Sequence, residues 1–123
     1  MVRAVRGAIT VKKNSSEDIL MAVKELLGRV IGENGIEICD MISILFTMTS
    51  DLNADFPAKA AREMGLTGIP LMCSNEIDVK GSLKKCIRLM LHFNTEKENK
   101  DIIHVYMRDA GNLRPDLTGG YGG

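Results

Sequence analysis

The sequence predicts a mixed α+β domain, one sheet with helices laid largely on one side of it. Three observations predict this class. Apolar residues recur with period two in Val2 to Val11 and again in Ile87 to Phe93. They recur with helical spacing from Ile19 to Ile31. The elements then follow one another as strand, helix, strand, helix and three more strands, a succession that suits one sheet carrying its helices as a second layer.

Taken in order, Val2 to Val11 is a strand with Val5, Ile9 and Val11 on one face and Ala4, Arg6, Ala8 and Thr10 on the other. Arg6 therefore stands among small residues with open space around it, which from the residues alone reads as a solvated arginine. Asn14 to Asp18 starts a helix: Ser15 or Ser16 can cap it, and Glu17 and Asp18 suit the positive end of its dipole. Ile19, Val23, Leu26, Leu27, Val30 and Ile31 form its buried stripe, and Gly32 to Gly35 ends it. Met41 to Thr49 is a buried strand, with Cys39 just before it expected in the packing.

Pro57 suits the first turn of a second helix running to about Met64, stopped by Gly65. Lys59 and Arg62, three residues apart, share one face of it beside Phe56. Such a pair can hold an anion, although a solvated face is the commoner explanation. Leu71 to Glu76 is a strand and loop. Gly81 to Asn94 fits either a helix or a strand in part, but the clean alternation of Ile87, Leu89, Leu91 and Phe93 against Arg88, Met90 and His92 favours a strand. Ile102 to Met107 is the last strand, with His104 and Tyr106 on one face. Pro115 holds Arg114 extended and ends regular structure. Residues 118–123, glycine-rich, form a flexible tail after a single domain spanning 1–117.

Composition narrows the function. Lys plus Arg number 16 and Asp plus Glu number 16, so the excess positive charge of a nucleic-acid or anionic-membrane binder is missing. A neutral domain of this size is prone to associate, which points to an oligomer. No apolar run approaches the ~20 residues of a membrane span, and the N-terminus does not read as a signal peptide. Cys39, Cys73 and Cys86 are too far apart for a metal knuckle, and His92 and His104 are as scattered. The cysteines read as reduced thiols of a cytoplasmic protein.

The most suggestive stretch is Pro70 to Arg88, PLMCSNEIDVKGSLKKCIR. It sets one acid, Glu76, and one base, Arg88, each beside apolar residues. That arrangement suits a small pocket for a polar ligand, though charged residues at the rim of a core look the same.

Several segments, in this order, carry a family resemblance: Arg6-Gly7-Ala8 with Thr10-Val11, Asp51-Leu52 with Phe56-Pro57-Ala58-Lys59-Ala60 and Arg62-Glu63, Cys73 with Glu76, Asp78-Val79, Leu83 to Arg88, His104-Val105-Tyr106, and Leu113 to Leu117. Together they resemble the AroH-class chorismate mutases, bacterial enzymes of the trimeric pseudo-α/β-barrel type. The resemblance runs from Arg3 to about Leu117. It departs from the family pattern at Met72, where a threonine is usual, by one residue between Arg62 and Pro70, and in the tail.

The resemblance implies a pericyclic rearrangement of chorismate to prephenate, on the route to phenylalanine and tyrosine, with no cofactor and no metal. Arg88 would donate to the breaking ether oxygen and to a carboxylate. Arg6, with the Tyr106 hydroxyl, would bind the enolpyruvyl carboxylate. Glu76 would accept from the ring hydroxyl and hold Arg88 in place, with Cys73 near the same hydroxyl. Phe56 and Leu113 would wall the site, Leu71 and Met72 would line it beside Cys73, and Lys59, Arg62 and Arg114 would sit at its mouth. The site would lie between subunits of a homotrimer, with Phe56 and Arg88 from different chains. A non-catalytic trimer binding a small carboxylate in the same cleft is the alternative. A different lyase or deaminase on a related trimeric barrel is a weaker one.

Overall fold

The computed structural model of the chain describes residues 1–112. They form strands β1 (Val2–Thr10), β2 (Met41–Met48), β3 (Leu71–Asn75), β4 (Cys86–Asn94) and β5 (Val105–Met107), and helices α1 (Ser16–Asn34) and α2 (Pro57–Glu63). One five-stranded sheet has the order β3-β2-β4-β1-β5. β4 is antiparallel to both β1 and β2, while β3 and β5 add in parallel at the two edges. The sheet is thus mixed. The strand at 81–94 resolves to β4, with Ile87, Leu89, Leu91 and Phe93 all buried.

Both helices cover the same face. α1 starts where Ser15 accepts the Asp18 amide and stops at Gly35, whose φ of 59° is the left-handed conformation that closes a helix. Its fully buried Ile19, Val23, Leu26, Leu27 and Val30 meet Val5 and Ile9 of β1 and Phe46 of β2 in one core. Each such side chain contributes about 1.5–3 kcal/mol relative to exposure. Gly7 lies where a Cβ would stand 3.1 Å from both Leu26 and Val30, so the close approach of α1 to β1 depends on it.

Three expectations differ. β2, expected as a buried strand, is buried on one face only, with Ile42 37% and Leu45 38% exposed. The last strand is three residues long rather than six. The Asn34 side chain takes both backbone groups of Ile103, accepting its N–H at 2.8 Å and donating to its carbonyl at 2.9 Å. One residue later the His104 ring, through Nδ1, accepts the Arg6 N–H at 3.0 Å. Side chains thus replace the ladder until Val105. Cys39, expected in the packing, is exposed in a short 3₁₀ turn, Ile38–Asp40.

On the opposite face, among the described residues, neither α-helix packs; a short 3₁₀ turn, Arg108–Asn112, sets Ala110 over Ala8 and Cys86 at one end and leaves the rest open. This face carries Arg6 and Ala8 of β1, Leu45 and Thr47 of β2, Met72 of β3, Arg88 and Met90 of β4 and Tyr106 of β5.

Candidate active site on the open face of the sheet

Register explains how the site is assembled. Thr47 pairs with Arg88, Arg88 with Ala8, and Ala8 with Tyr106, so these four form one row across the strands. Arg88 and Tyr106 are two strands apart, about 10 Å in backbone spacing. Ala8 between them is fully buried, packed with Cys86 and Ala110, and Tyr106 packs against that cluster. Arg6 is offset from Arg88 by two residues on the neighbouring strand, because Arg6 pairs with Met90. Arg6, Arg88 and Tyr106 consequently line one cavity of about 200 Å³, together with Thr47, Leu45 and Met90.

Glu76 reaches this group from the end of β3. Its amide donates to the Met48 carbonyl at 2.9 Å, which prolongs the β2–β3 pairing by one step. Its carboxylate accepts from the Thr47 hydroxyl and lies 3.5 Å from Arg88 Nε. The Arg88 Nε is buried and, among the described residues, makes no hydrogen bond. The Arg88–Glu76 contact is therefore an ion pair at the edge of contact, with the Arg88 side chain 42% exposed and that of Glu76 18% exposed. The arrangement offers fixed cations, a phenol hydroxyl and one carboxylate around a hollow, and so suits an anion that also carries a hydroxyl.

The start of β4 is pinned from the β2 side. The Asp51 carboxylate accepts the Lys85 amide at 3.0 and 3.1 Å, and the Thr49 hydroxyl accepts the Cys86 amide at 3.0 Å. Lys85 is held there at a φ of 48°, unusual for a residue with a side chain. Two residues before Arg88, on the same face, Cys86 is fully buried. Burial pushes its thiol up to about 11, against the lowering influence of the Arg88 charge.

The other expected site residues lie elsewhere on the chain. Cys73 pairs with buried Phe46, so it faces the helix side, where it and Leu71 pack against the core. Phe56, 68% exposed, shares with Cys73 a separate cavity of about 400 Å³ at the start of α2. Lys59 and Arg62 are exposed on α2. Phe56 and Lys59 are set by a clasp. Asn14 accepts the Asn53 and Ala54 amides at 3.0 Å, and Asp55 accepts from Ser16, from the Phe56 amide and from Lys59. The Ser16 hydroxyl, the Phe56 amide and Lys59 hold the Asp55 carboxyl below its ordinary value. Met72 is exposed on the open face beside Leu45. Leu113 and Arg114, and the tail at 118–123, lie outside the described residues.

One chain therefore brings Arg6, Glu76, Arg88 and Tyr106 together, and holds Phe56, Lys59, Arg62 and Cys73 apart from them. Among the described residues, no group of three His, Cys, Asp or Glu side chains is placed to share a metal ion, and no helix is long and apolar enough to cross a membrane.

This arrangement has known counterparts. The profile of the family described as chorismate mutase type I matches residues 2–117. The chain belongs to the type I chorismate mutases. It is similar to the chorismate mutase AroH of Bacillus subtilis (strain 168), at 44% identity over 119 residues covering 96% of this chain and 94% of that one. Chorismate mutase AroH of Thermus thermophilus is 43% identical over 118 residues, covering 95% of this chain and 97% of that one. The solved chorismate mutase from Clostridium thermocellum superposes with a TM-score of 0.87 at 55% identity, covering 88% of this chain and 96% of that one.

For a chorismate mutase of this type, the sequence reading missed Thr47, Leu45 and Met90 as lining residues. Thr47 is one of three hydroxyls, with Ser43 and Thr49, in the apolar run MISILFTMT, and nothing in the run itself ties it to Glu76, 29 residues on.

Proposed function

We propose that this chain, an isomerase of the chorismate mutase type, converts chorismate to prephenate on the cavity formed by Arg6, Arg88 and Tyr106. The observation that carries the reading is the single row of Thr47, Arg88, Ala8 and Tyr106, with Arg6 and Glu76 at its margins, in a member of this family. The reaction is intramolecular: one C–O bond breaks and one C–C bond forms through a chair-like arrangement. The protein must fold the enolpyruvyl arm over the ring and stabilise charge on the departing ether oxygen.

The planar Arg88 guanidinium donates to that oxygen and to a carboxylate at once, which an ammonium cannot do. Arg6 and the Tyr106 hydroxyl hold the enolpyruvyl carboxylate. Glu76 accepts from the ring hydroxyl while its charge orients Arg88. These groups sit in place before the substrate arrives, so little reorganisation is needed as charge develops.

The remaining contacts come from a second subunit in this reading. Phe56, Lys59, Arg62, Leu71 and Cys73 would close the site from the neighbouring chain of a homotrimer, Met72 would flank it on the open face itself, and Leu113 and Arg114 would complete its wall and mouth. Two features support this. Phe56 and Cys73 lie across the sheet from Arg88 within one chain. The open face also exposes Leu45 and Met72, apolar surface that a partner would cover. The three free cysteines suit a cytoplasmic protein whose catalytic domain spans 1–117.

The test is direct. Purified protein should consume chorismate and release prephenate, and Arg88→Ala should not. Tight binding of a bicyclic transition-state mimic without turnover would instead identify a non-catalytic carboxylate binder.

A further inference from the structure

We propose that Thr47 is a positioning residue of this site: its hydroxyl fixes the Glu76 carboxylate, and through it the Arg88 guanidinium, in the orientation the reaction uses. The inference rests on the reading of Glu76 and Arg88 given above.

Four observations meet at this threonine. It stands directly opposite Arg88 on the neighbouring strand, on the same face of the sheet. Its hydroxyl donates to Glu76 Oε2, the oxygen that also lies 3.5 Å from Arg88 Nε. It lines the cavity shared by Arg6, Arg88 and Tyr106. Finally, Arg88 Nε is buried with no hydrogen bond among the described residues, so Glu76 is the charged group placed to steer that end of the guanidinium.

Glu76 needs such a hold. It follows the last residue of β3, where the chain leaves the sheet, and the next residues Ile77 to Ser82 are exposed. Its backbone is tied to β2 by the Met48 carbonyl, which fixes the Cα but not the side-chain torsions. The Thr47 hydroxyl is the second tie, made by the adjacent residue of the same strand. A β-branched side chain is restricted about its own first torsion, so its hydroxyl is aimed with little entropy cost. With one oxygen occupied by Thr47 and turned toward Arg88, the other is left for a hydroxyl of the substrate. A carboxylate free to rotate would present either oxygen to either partner.

The test is a set of steady-state measurements on chorismate. Thr47→Val keeps the shape and removes the hydroxyl, and kcat should fall roughly tenfold, as expected for one lost hydrogen bond to a charged group, with KM changed less than about threefold. Thr47→Ser should restore most of kcat. In a Glu76→Gln background, Thr47→Val should add little, because the two residues act in series.

A Thr47→Val enzyme with unchanged kcat overturns the proposal. So does a serine variant as slow as the valine one, or a valine cost that is undiminished in the Glu76→Gln background. If Glu76→Gln alone leaves turnover intact, the assignment of Glu76 fails, and that outcome is distinguishable because it does not involve Thr47. Thermal unfolding of Thr47→Val, read beside the kinetics, separates a lost fold from a lost orientation: a folded enzyme slow in kcat supports the proposal, and a loss explained entirely by unfolding at the assay temperature overturns it.

Discussion

Replacing Arg88 tests the chemistry most directly. Its Nε is buried against Glu76 at 3.5 Å, and the exposed remainder of the side chain faces the cavity it lines. Removing one preorganised donor from a developing oxyanion costs about 10²–10³ in rate, or roughly 2.7–4 kcal/mol. Arg88 carries more than one such role, since it is assigned both the ether oxygen and a carboxylate. Arg88→Ala also leaves Glu76 facing an incoming dianion with no cation beside it. The expected loss in kcat/KM is therefore at least about 10³-fold.

Arg88→Lys separates charge from geometry. It keeps the positive charge but replaces a planar fork by a point donor, so binding should survive better than turnover, with kcat down roughly 10²-fold. The assay is the loss of chorismate absorbance, with prephenate identified as product. Stability should hardly change, because an ion pair with a partner 42% exposed contributes at most about 1 kcal/mol. A folded Arg88→Ala enzyme within about tenfold of wild-type turnover would refute the assigned role.

Three further outcomes are expected. If the site is shared between chains, Arg88→Ala and Phe56→Ala subunits refolded together in equal amounts should regain activity that neither has alone, at about one site in four, since each shared site needs one intact half from each chain; no recovery in mixed trimers would place Phe56 outside the site. The buried Cys86 thiol titrates near 11 when folded against an ordinary value of 9.0, so the folded chain holds its proton where the unfolded chain has lost it, and stability falls as pH rises from 9 to about 11. That loss should be roughly 2–3 kcal/mol by urea titration, absent in Cys86→Ala, and a thiol reagent at neutral pH should label exposed Cys39 long before Cys86. Asn34→Ala strands both backbone groups of Ile103 and should cost roughly 2–4 kcal/mol of unfolding free energy by the same titration.

The helices and central strands were legible because their apolar periods are long and their stops are chemical. Ser15 and Gly35 bound α1 as side-chain cap and left-handed stop, and the alternation in Ile87 to Phe93 is the alternation of buried and half-buried residues in β4. What could not be read was decided at a distance. The shortness of β5 depends on Asn34 and His104 capturing backbone groups that a longer strand would have paired, contacts separated by 69 and 98 residues. The same holds for the site. On residue type alone Arg6 was a solvated arginine, and only its register beside the Arg88–Ala8–Tyr106 row gives it partners.

Pleating also explains why the expected site residues divide as they do. Side chains alternate along a strand, so Cys73 and Glu76, three residues apart, leave β3 and its extension toward opposite faces. Glu76 joins Arg88 on the open face, while Cys73 joins Phe56 on the helix side. A single chain cannot bring both to one small molecule without breaking the β2–β3 pairing. Either Cys73 takes no part in the chemistry, or the surface that carries Cys73 and Phe56 meets the open face of another copy. The exposed Leu45 and Met72 beside the cavity favour the second choice, since the face that holds the cations also exposes apolar surface that a partner would bury.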